Sequence, residues 1–269
     1  MNSGKFETEI DNKLHNYYLK ILQNYNESIF NKASFFPDYS NLSGIFLTAA
    51  PSKWDKGKRI LVIGRETRGW NVIQSEKPYI NLSHYITLSM EKQKNSLLKS
   101  MKAKKDKGFT FHNFLRDLGK NFGNGNIGWA NLYCFDWKES APTKKKTPNY
   151  DEIIEISERI LKATIHILDP DIIIFANGSS SASVRRSFFP ISGKSRVCSS
   201  PWINYLDDSI EKIELESFLL YGRIQCYRIN HPANRSKKSK DKKESCGFLS
   251  SRDVRKYLIN LINIDINKT

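Results

Sequence analysis

Four clusters of polar residues in this chain each follow a short apolar run, and each could take part in chemistry. They supply a carboxylate, an amide, a group of hydroxyls and an imidazole, at Glu66, Asn131, Ser179–Ser181 and His231. A carboxylate can act as a general base or stabilise positive charge, and an imidazole can transfer a proton. An amide can pair with a planar, amide-bearing ligand. Serine hydroxyls and backbone N–H groups at a helix start can bind phosphate.

Each of these residues also has an ordinary structural explanation. Glu66 could pair with Arg65 or Arg68 in a solvated loop. The amide could cap a loop, the serines could cap a helix, and a single histidine is more often a structural hydrogen-bonding residue. The four clusters therefore carry more weight as a set than any of them does alone.

Alternating strands and helices must position these residues. The apolar pattern predicts strands at 59–63, 127–135, 171–175 and 219–229. Helical periodicity predicts helices at 6–25, 109–122, 151–168, from 182 onward and at 252–264, and the lysine-rich stretch 91–108 is typical of a helix that runs into a basic loop. This order predicts an α/β fold, a three-layer α/β/α sandwich with a short, mostly parallel central sheet. In such sheets ligands bind outside the carboxyl ends of the strands, where all four clusters fall.

The length suits one large domain, or two small ones at most, and we expect a single domain over residues 1–269. We expect residues 1–50 to be an N-terminal helical extension of this domain. Residues 235–245 (RSKKSKDKKES) contain few apolar side chains, so we expect a mobile basic loop there.

Charge and composition narrow the choice of partner. The chain has 43 Lys and Arg against 28 Asp and Glu, a formal net charge of +15. Nucleic acid is the commonest partner of so basic a protein. Hydrophobic residues make up 39% of the chain, which excludes wholesale disorder.

The cysteines do not form a recognisable metal site. No CxxC pair is present and no histidine lies at metal-ligand spacing, so the sequence predicts buried free thiols at Cys134, Cys198, Cys226 and Cys246. The polar N-terminus is unlike a secretion signal, and no apolar run is long enough to span a membrane. We therefore expect a cytoplasmic protein.

Several enzyme classes are excluded by motifs that the sequence lacks. There is no GxxxxGK[ST] for a P-loop NTPase and no GxGxxG after a strand for a dinucleotide site. There is also no GxSxG for the usual serine hydrolase arrangement.

The order of the clusters resembles the uracil-DNA glycosylase superfamily. In that family a strand leads into a motif of the type Gly-Gln-Asp-Pro-Tyr-His, whose place is taken here by residues 64–70 (GRETRGW). A middle strand ends in an Asn that reads the base, similar to Asn131 in WANLYCF, and a later strand leads to phosphate-binding serines, similar to Gly178–Ser181. The last motif, His-Pro-Ser in the family, is similar to residues 231–233 (HPA). The resemblance covers residues 59–235.

The resemblance implies a monofunctional DNA glycosylase, an N-glycosyl hydrolase that acts on a flipped base without a metal or an organic cofactor. Glu66 would be the water-activating or cation-stabilising carboxylate, His231 would stabilise charge on the departing base, and Asn131 would hydrogen-bond the edge of the base. For base stacking the candidates are Trp70, Tyr79 and Tyr85, and packing in the core is the alternative for each. For DNA phosphates they are Ser179, Ser180, Ser181, Asn234, Arg235, Lys144, Lys145 and Lys146.

Departures from the family motifs bear on the substrate. Glu66 replaces an Asp, and Ala233 replaces the serine of the last motif. Arg68 stands where uracil-specific members have a tyrosine that blocks the C5 position of the pyrimidine. Without that ring a C5-modified pyrimidine could enter, and Arg65 and Arg68 could hydrogen-bond its substituent. We expect such a substrate, for example the glucosylated hydroxymethylcytosine of phage DNA that an anti-phage branch of the superfamily excises, with uracil as the alternative.

Two functions of other classes remain open from the sequence. One is a catalytically silent nucleic-acid-binding module that has kept the fold. The other is an α/β hydrolytic enzyme that acts on a nucleotide or a small phosphorylated substrate. For the leading interpretation we expect a monomer that binds DNA and does not associate with membranes.

Overall fold

The computed structural model of the chain describes residues 8–26, 29, 41–72, 80–104, 108–203, 205, 210, 214–233 and 251–267. Some of the residues singled out in the sequence lie outside these ranges, namely Tyr79, Asn234, Arg235, Cys246 and the predicted basic loop 235–245. The chain divides into two compact units. The first consists of Met1–Ser52, Arg65–Lys99 and Gly128–Asp169, and the second of Lys53–Gly64, Ser100–Ile127 and Pro170–Thr269.

The strands form a five-stranded, mostly parallel sheet. They are β1 (Ile60–Gly64), β2 (Ile127–Asn131), β3 (Ile172–Phe175), β4 (Leu215–Leu220) and β5 (Ile224–Ile229), in the order β2-β1-β3-β5-β4. β3 pairs in parallel with both β1 and β5, and Ile172 is the partner of Ile60 on one side and of Gln225 on the other. With helices flanking the sheet, this is the arrangement of a three-layer α/β/α sandwich, and the predicted fold class is confirmed.

Six α-helices accompany the strands in the described part of the chain. They are α1 (Glu9–Leu22), α2 (Leu82–Lys102), α3 (Thr110–Phe122), α4 (Tyr150–Leu168), α5 (Ala182–Phe188) and α6 (Ser251–Asn267). None of these helices is both long enough and apolar enough to cross a bilayer.

The predicted strand 219–229 is wrong, because the structure has a hairpin there. β4 begins earlier, at Leu215, and pairs antiparallel with β5. Tyr221 and Gly222 both have positive φ, 53° and 70°, and the amide of Arg223 donates to the carbonyl of Leu220. Positive φ at the centre of a tight turn matches the twist of the flanking strands. An uninterrupted apolar run therefore concealed a chain reversal.

β2 is also shorter than predicted and ends at Asn131 instead of residue 135. Beyond that point the backbone leaves the ladder and makes single hydrogen bonds. The amide of Tyr133 donates to the carbonyl of Arg65, and the carbonyl of Cys134 accepts from the amide of Phe46. These bonds join three segments of the first unit.

In the first unit α1 packs against α4. The hydroxyl of Tyr18 lies 2.8 Å from Thr164 Oγ1 and donates to the carbonyl of Thr48 at 3.1 Å. Asp11, also in α1 and fully buried, accepts from the amide of Ala50 at 2.6 Å. A buried hydroxyl and a buried carboxylate require such partners, so these bonds hold α1 and residues 48–50 in one core.

The second unit contains a buried cluster of charge. Glu216 on β4 lies directly opposite Arg228 on β5, and its Oε2 is 3.2 Å from Arg228 Nε and 3.4 Å from Arg185 Nη2. All three side chains are buried. The guanidinium of Arg185 also lies over the ring of Phe218, 5.2 Å from its centroid. One carboxylate thus neutralises one of two buried positive charges.

Three of the four cysteines lie in the described ranges, and the prediction of buried free thiols is confirmed for them: Cys134, Cys198 and Cys226. Burial raises the pKa of Cys134 to about 12, although a hydrogen bond from Ser157 opposes the shift. The thiol is therefore an unreactive packing group at neutral pH.

Replacing Glu216 tests the buried charge cluster. Glu216→Gln removes the charge of the carboxylate that Arg185 and Arg228 share, so we expect the free energy of unfolding to fall by about 3–5 kcal/mol. The measurement is urea unfolding at pH 7, with Glu158→Gln as a control, because Glu158 pairs with Lys162 in a partly exposed salt bridge. The control should change the free energy of unfolding by less than about 0.5 kcal/mol.

The same variant gives a pH dependence. Burial raises the pKa of Glu216, but the hydrogen bond and charge of Arg228, with the charge of Arg185, outweigh burial and leave it below its ordinary value of 4.5. A lowered pKa stabilises the fold above the ordinary value and loses that contribution as the pH falls through the folded-state value. The stability difference between wild type and Glu216→Gln should therefore narrow below about pH 4.5. A constant difference down to pH 3 would contradict this assignment.

Candidate functional site

The loop that follows β1 is pinned inside the first unit. The carbonyl of Arg65 accepts from the amide of Tyr133 at 2.9 Å, and the amide of Gly69 donates to Asp136 Oδ2 at 2.8 Å. Gly69 has a φ of 65°, a conformation that glycine adopts without strain. The sequence 64–70 thus forms a fixed turn beside the segment that follows Asn131.

Glu66 is buried in this loop and is held by its neighbour. Its side chain is 3% exposed, and its two carboxylate oxygens accept from Nε and Nη2 of Arg65 at 2.5 and 2.9 Å. The hydrogen bonds that Arg65 donates to Glu66 raise the pKa of Arg65 despite its partial burial. The ion pair with Arg65, which the sequence suggested as the structural alternative, is present. The carboxylate is buried, however, and does not lie in a solvated loop. The result is a fixed negative charge within the first unit.

Arg68 is the exposed member of this group. Its Nε lies 3.9 Å from Glu66 Oε1, and its side chain is 71% exposed. A pair at this distance and exposure contributes little to stability. The guanidinium is therefore available to a ligand in a way that the guanidinium of Arg65 is not.

Asn131 is oriented by a residue on its own strand. Trp129 lies two positions earlier, so both side chains project from the same face of β2. The indole Nε1 donates to Asn131 Oδ1 at 3.0 Å. An indole N–H is a donor and never an acceptor, which fixes the amide with its oxygen toward Trp129. Asn131 Nδ2 is buried and has no hydrogen-bond partner, so the amide presents unused donors.

Two further polar residues of the first unit were not singled out from the sequence. Thr67, directly after Glu66, is 7% exposed, and its hydroxyl has no hydrogen-bond partner. Tyr133 interacts electrostatically with Arg65 and Glu66, and burial raises its pKa, so its phenol stays protonated. The sequence around each of these two residues contains no motif that would single it out.

The aromatic candidates for base stacking lie in the core. Tyr85 is fully buried, and its hydroxyl accepts from the amide of Ile45 at 2.9 Å. Trp70 is 6% exposed and packs against Phe46, with ring centroids 5.0 Å apart. Neither ring presents a face to a ligand, so for both residues the alternative of core packing is the observed one.

The second unit brings Gly178 and His231 together. Gly178 follows β3 with a φ of 77°, and a Cβ added there would lie 3.4 Å from His231 Cβ. The positive φ favours glycine at position 178, and an added Cβ would be in ordinary van der Waals contact with the histidine. Ser179–Ser181 then form a short 3₁₀ turn before α5. Ser179 and Ser180 are exposed, whereas Ser181 is buried.

A hydrogen bond that His231 accepts fixes the tautomer of its neutral ring. The amide of Ala233 donates to His231 Nδ1 at 3.2 Å, so Nδ1 is an acceptor and the neutral ring carries its proton on Nε2. The ring stacks on Phe111 of α3, with centroids 6.2 Å apart and planes 15° from parallel. Phe111 was missed from sequence because the two residues are 120 positions apart.

Asn177 was also missed as a site residue. It lies at the carboxyl end of β3, just before Gly178, and is 1% exposed. Neither its amide oxygen nor its amide nitrogen has a hydrogen-bond partner. Leaving such atoms unpaired costs about 1–3 kcal/mol each, so an amide kept in this position points to a polar ligand.

The remaining candidates are the three lysines predicted to bind DNA phosphates. Lys144, Lys145 and Lys146 form an exposed turn in the first unit. Within the described ranges, no group of three or more His, Cys, Asp or Glu side chains is arranged to hold a metal ion. Comparison with known proteins gave no family model and no curated sequence that matches this chain.

The unpaired amide of Asn177 makes a stability prediction. Asn177→Leu replaces it with an apolar side chain of similar shape, so we expect the free energy of unfolding to rise by about 1–3 kcal/mol. Asn230→Leu is the matched control, because Asn230 is also buried but donates to Glu214 Oε1 at 3.1 Å. The control should be less stable than wild type. Urea unfolding measures both, and a loss of stability in Asn177→Leu would contradict our description of this amide.

Proposed function

We propose that this protein is a DNA glycosylase that hydrolyses the N-glycosidic bond of a flipped, C5-modified cytosine and leaves an abasic site. The observation that carries the proposal is the Asn131 amide, which Trp129 holds with its donors unused in the same unit as the buried carboxylate of Glu66. The sequence resemblance supplies the reaction class, and the geometry within each unit supports the roles of that unit's residues.

Glu66 suits the stabilisation of positive charge. As the glycosidic bond breaks, positive charge develops on the sugar, and a fixed carboxylate in a water-poor site stabilises it. Both oxygens of Glu66 already accept hydrogen bonds from Arg65, which favours this electrostatic role over proton abstraction from water. Water supplies a hydroxyl group to C1′ of the sugar, and its proton neutralises the departing base.

His231 suits the stabilisation of the departing base. Negative charge develops on that base, and the Nε2–H of the neutral imidazole is a donor for its oxygen. Stacking on Phe111 fixes the plane of the ring, so the donor direction is preorganised.

The donors on Asn131 favour cytosine over uracil. Cytosine presents acceptors at N3 and O2, whereas N3 of uracil carries a proton and needs an acceptor. With Asn131 Oδ1 turned to the indole of Trp129, the available group is the Nδ2 donor. This arrangement supports cytosine as the parent base, with uracil as the alternative substrate.

The exposed guanidinium of Arg68 supports a substituent at C5. It occupies the place of the ring that blocks C5 in uracil-specific relatives of the family that the sequence resembles, and it offers hydrogen-bond donors to a hydroxymethyl or glucosyl group. For the DNA backbone, the net charge of +15 and the exposed groups of Ser179, Ser180 and Lys144–Lys146 are suited to phosphates.

A catalytically silent DNA-binding module is the second candidate. The observation that favours it is the bidentate pairing of Arg65 with Glu66, which a purely structural ion pair would also show. The two functions differ in turnover and not in DNA binding.

Abasic-site formation tests the reaction. Matched DNAs that carry cytosine, uracil, hydroxymethylcytosine or glucosylated hydroxymethylcytosine are treated with the protein and probed for aldehydes. We expect abasic sites on the C5-modified DNAs, and a loss of about 100-fold or more in rate in Glu66→Gln and in His231→Ala, with DNA binding kept. Glu139→Gln is the control, because Glu139 is an exposed carboxylate near Gly69.

The outcomes of this assay separate the candidates. Release from uracil alone would make the protein a uracil glycosylase and would discard the argument from Asn131 and Arg68. No release from any of the DNAs, with DNA still bound, would favour the silent module. Wild-type rates in both site variants would remove Glu66 and His231 from the mechanism.

Substitution of Arg68 tests the C5 gate. Arg68→Tyr restores an aromatic ring at the place that faces C5, so we expect the preference for C5-modified over unmodified base to fall at least about tenfold. The readout is the ratio of kcat/KM values on the two DNAs. Arg68→Lys keeps the charge and should retain most of the preference. An unchanged ratio in Arg68→Tyr would refute the gate.

A further inference from the structure

A cavity of about 240 Å³ lies between α3 and α6, within the second unit. Positively charged side chains dominate its polar lining. Arg252, Arg255 and Lys256 project into it from one face of α6, and Asp117 of α3 is the one acidic residue in the lining. Three positive charges against one carboxylate make this a cavity for an anion.

The three cationic groups have no close carboxylate partner among the residues that the structure describes. None of the three makes an ion pair within 4 Å of a described carboxylate, in contrast to Arg185 and Arg228, which share Glu216. Arg255 is partly buried, and burial lowers its pKa, although the more distant charges of Glu214 and Asp117 oppose the shift. A guanidinium that has lost part of its hydration without gaining a close partner is poised to bind an oxyanion.

The α3 side of the cavity adds further donors. Thr110 is the first residue of α3, and its hydroxyl is buried without a hydrogen-bond partner. The first turn of this 13-residue helix contains no acidic side chain, and its N-cap residue, Phe109, provides no side-chain hydrogen bond. The positive end of the helix dipole is therefore not neutralised locally.

The position of the cavity indicates the source of the anion. Phe111, the neighbour of Thr110 on α3, stacks on His231. One helix thus carries both Phe111, which stacks on the histidine, and Thr110, which lines the cavity. A DNA strand whose base meets His231 would bring its own phosphates to this end of α3.

We propose that the cavity between α3 and α6 binds a phosphate group of the DNA backbone, with Arg252, Arg255, Lys256 and Thr110 as its donors. This inference rests on the proposed function in one respect, the choice of DNA as the source of the phosphate. Free phosphate or a mononucleotide would share the same chemistry, and the experiment distinguishes them.

The experiment compares two variants with a control. Arg252→Gln/Lys256→Gln removes two exposed cations from the cavity, and Thr110→Val removes the unpaired hydroxyl at constant shape. Lys20→Gln/Lys120→Gln is the control, because it removes two exposed cations that do not line the cavity. Binding of inorganic phosphate is followed by ³¹P NMR, and binding of a labelled DNA duplex is measured over a range of salt concentrations.

We expect the wild type and the control to bind inorganic phosphate, and both cavity variants to lose most of that binding. For the duplex, the slope of log K against log salt should fall by about 1 in the double cavity variant relative to the control, as for the loss of one phosphate contact. Unchanged phosphate binding in both cavity variants would overturn the site. Loss of inorganic phosphate binding with a salt slope equal to that of the control would overturn DNA as the source and assign the cavity to a free phosphate.

These readouts are independent of turnover. A protein that loses salt-dependent DNA binding in the double cavity variant, yet forms no abasic site on any DNA, would contradict the glycosylase proposal and support the phosphate site. If the protein forms abasic sites but the double cavity variant has the same salt slope as the control, the result would support the glycosylase proposal and contradict the site for a DNA phosphate.

Discussion

A buried carboxylate destabilises a protein unless donors satisfy its oxygens, and Asp136 meets that condition with three segments of the first unit. It is 1% exposed and accepts from Ser43 Oγ at 2.6 Å, from the amide of Gly69 at 2.8 Å and from the amide of Glu139 at 3.0 Å. Because these bonds must form together, the loop after β1 has one conformation. The burial of Glu66 and its pairing with Arg65 depend on that conformation.

The same principle orients the other proposed site residues. A neighbour with a single possible hydrogen-bonding role fixes each of them: the indole of Trp129 is a donor to Asn131, and the amide of Ala233 is a donor to His231. In Asn131 this bond leaves the buried Nδ2 as an unused donor, and in His231 it fixes the tautomer with the proton on Nε2. Donors held in place before a ligand binds need no reorganisation during the reaction, which is the condition for electrostatic catalysis.

Charge is used in two ways in the second unit. Arg185 and Arg228 are buried and share Glu216, so they hold α5 and the β4–β5 hairpin together. Arg252, Arg255 and Lys256 line a cavity without a close carboxylate partner among the described residues. The net charge of +15 is a property of the whole chain. It indicates an anion-binding surface only where the ion pairs of the individual basic residues are known.

The α/β fold class and the positions of the candidate residues at the strand ends follow from local patterns in the sequence. Runs such as 59–63 and 171–175 are apolar on both faces, and burial on both faces is a property that a local pattern records. The helices 109–122, 151–168 and 252–264 were predicted within a few residues of their observed ends, because amphipathic periodicity is local too. The hairpin within 219–229 was not predicted, since Tyr221 in a turn gives no compositional signal.

The chemical roles that are open to the candidate residues depend on how the chain packs. Whether Glu66 is solvated or braced by Arg65, and whether Trp70 and Tyr85 stack on a ligand or fill the core, depends on neighbours that are distant in sequence. The contact of Phe111 with His231 and the unpaired amide of Asn177 belong to the same kind of information. A pattern of residue types specifies which side chains are buried, but hydrogen-bond satisfaction is a pairwise property of atoms in space. It is therefore fixed only when the chain has packed.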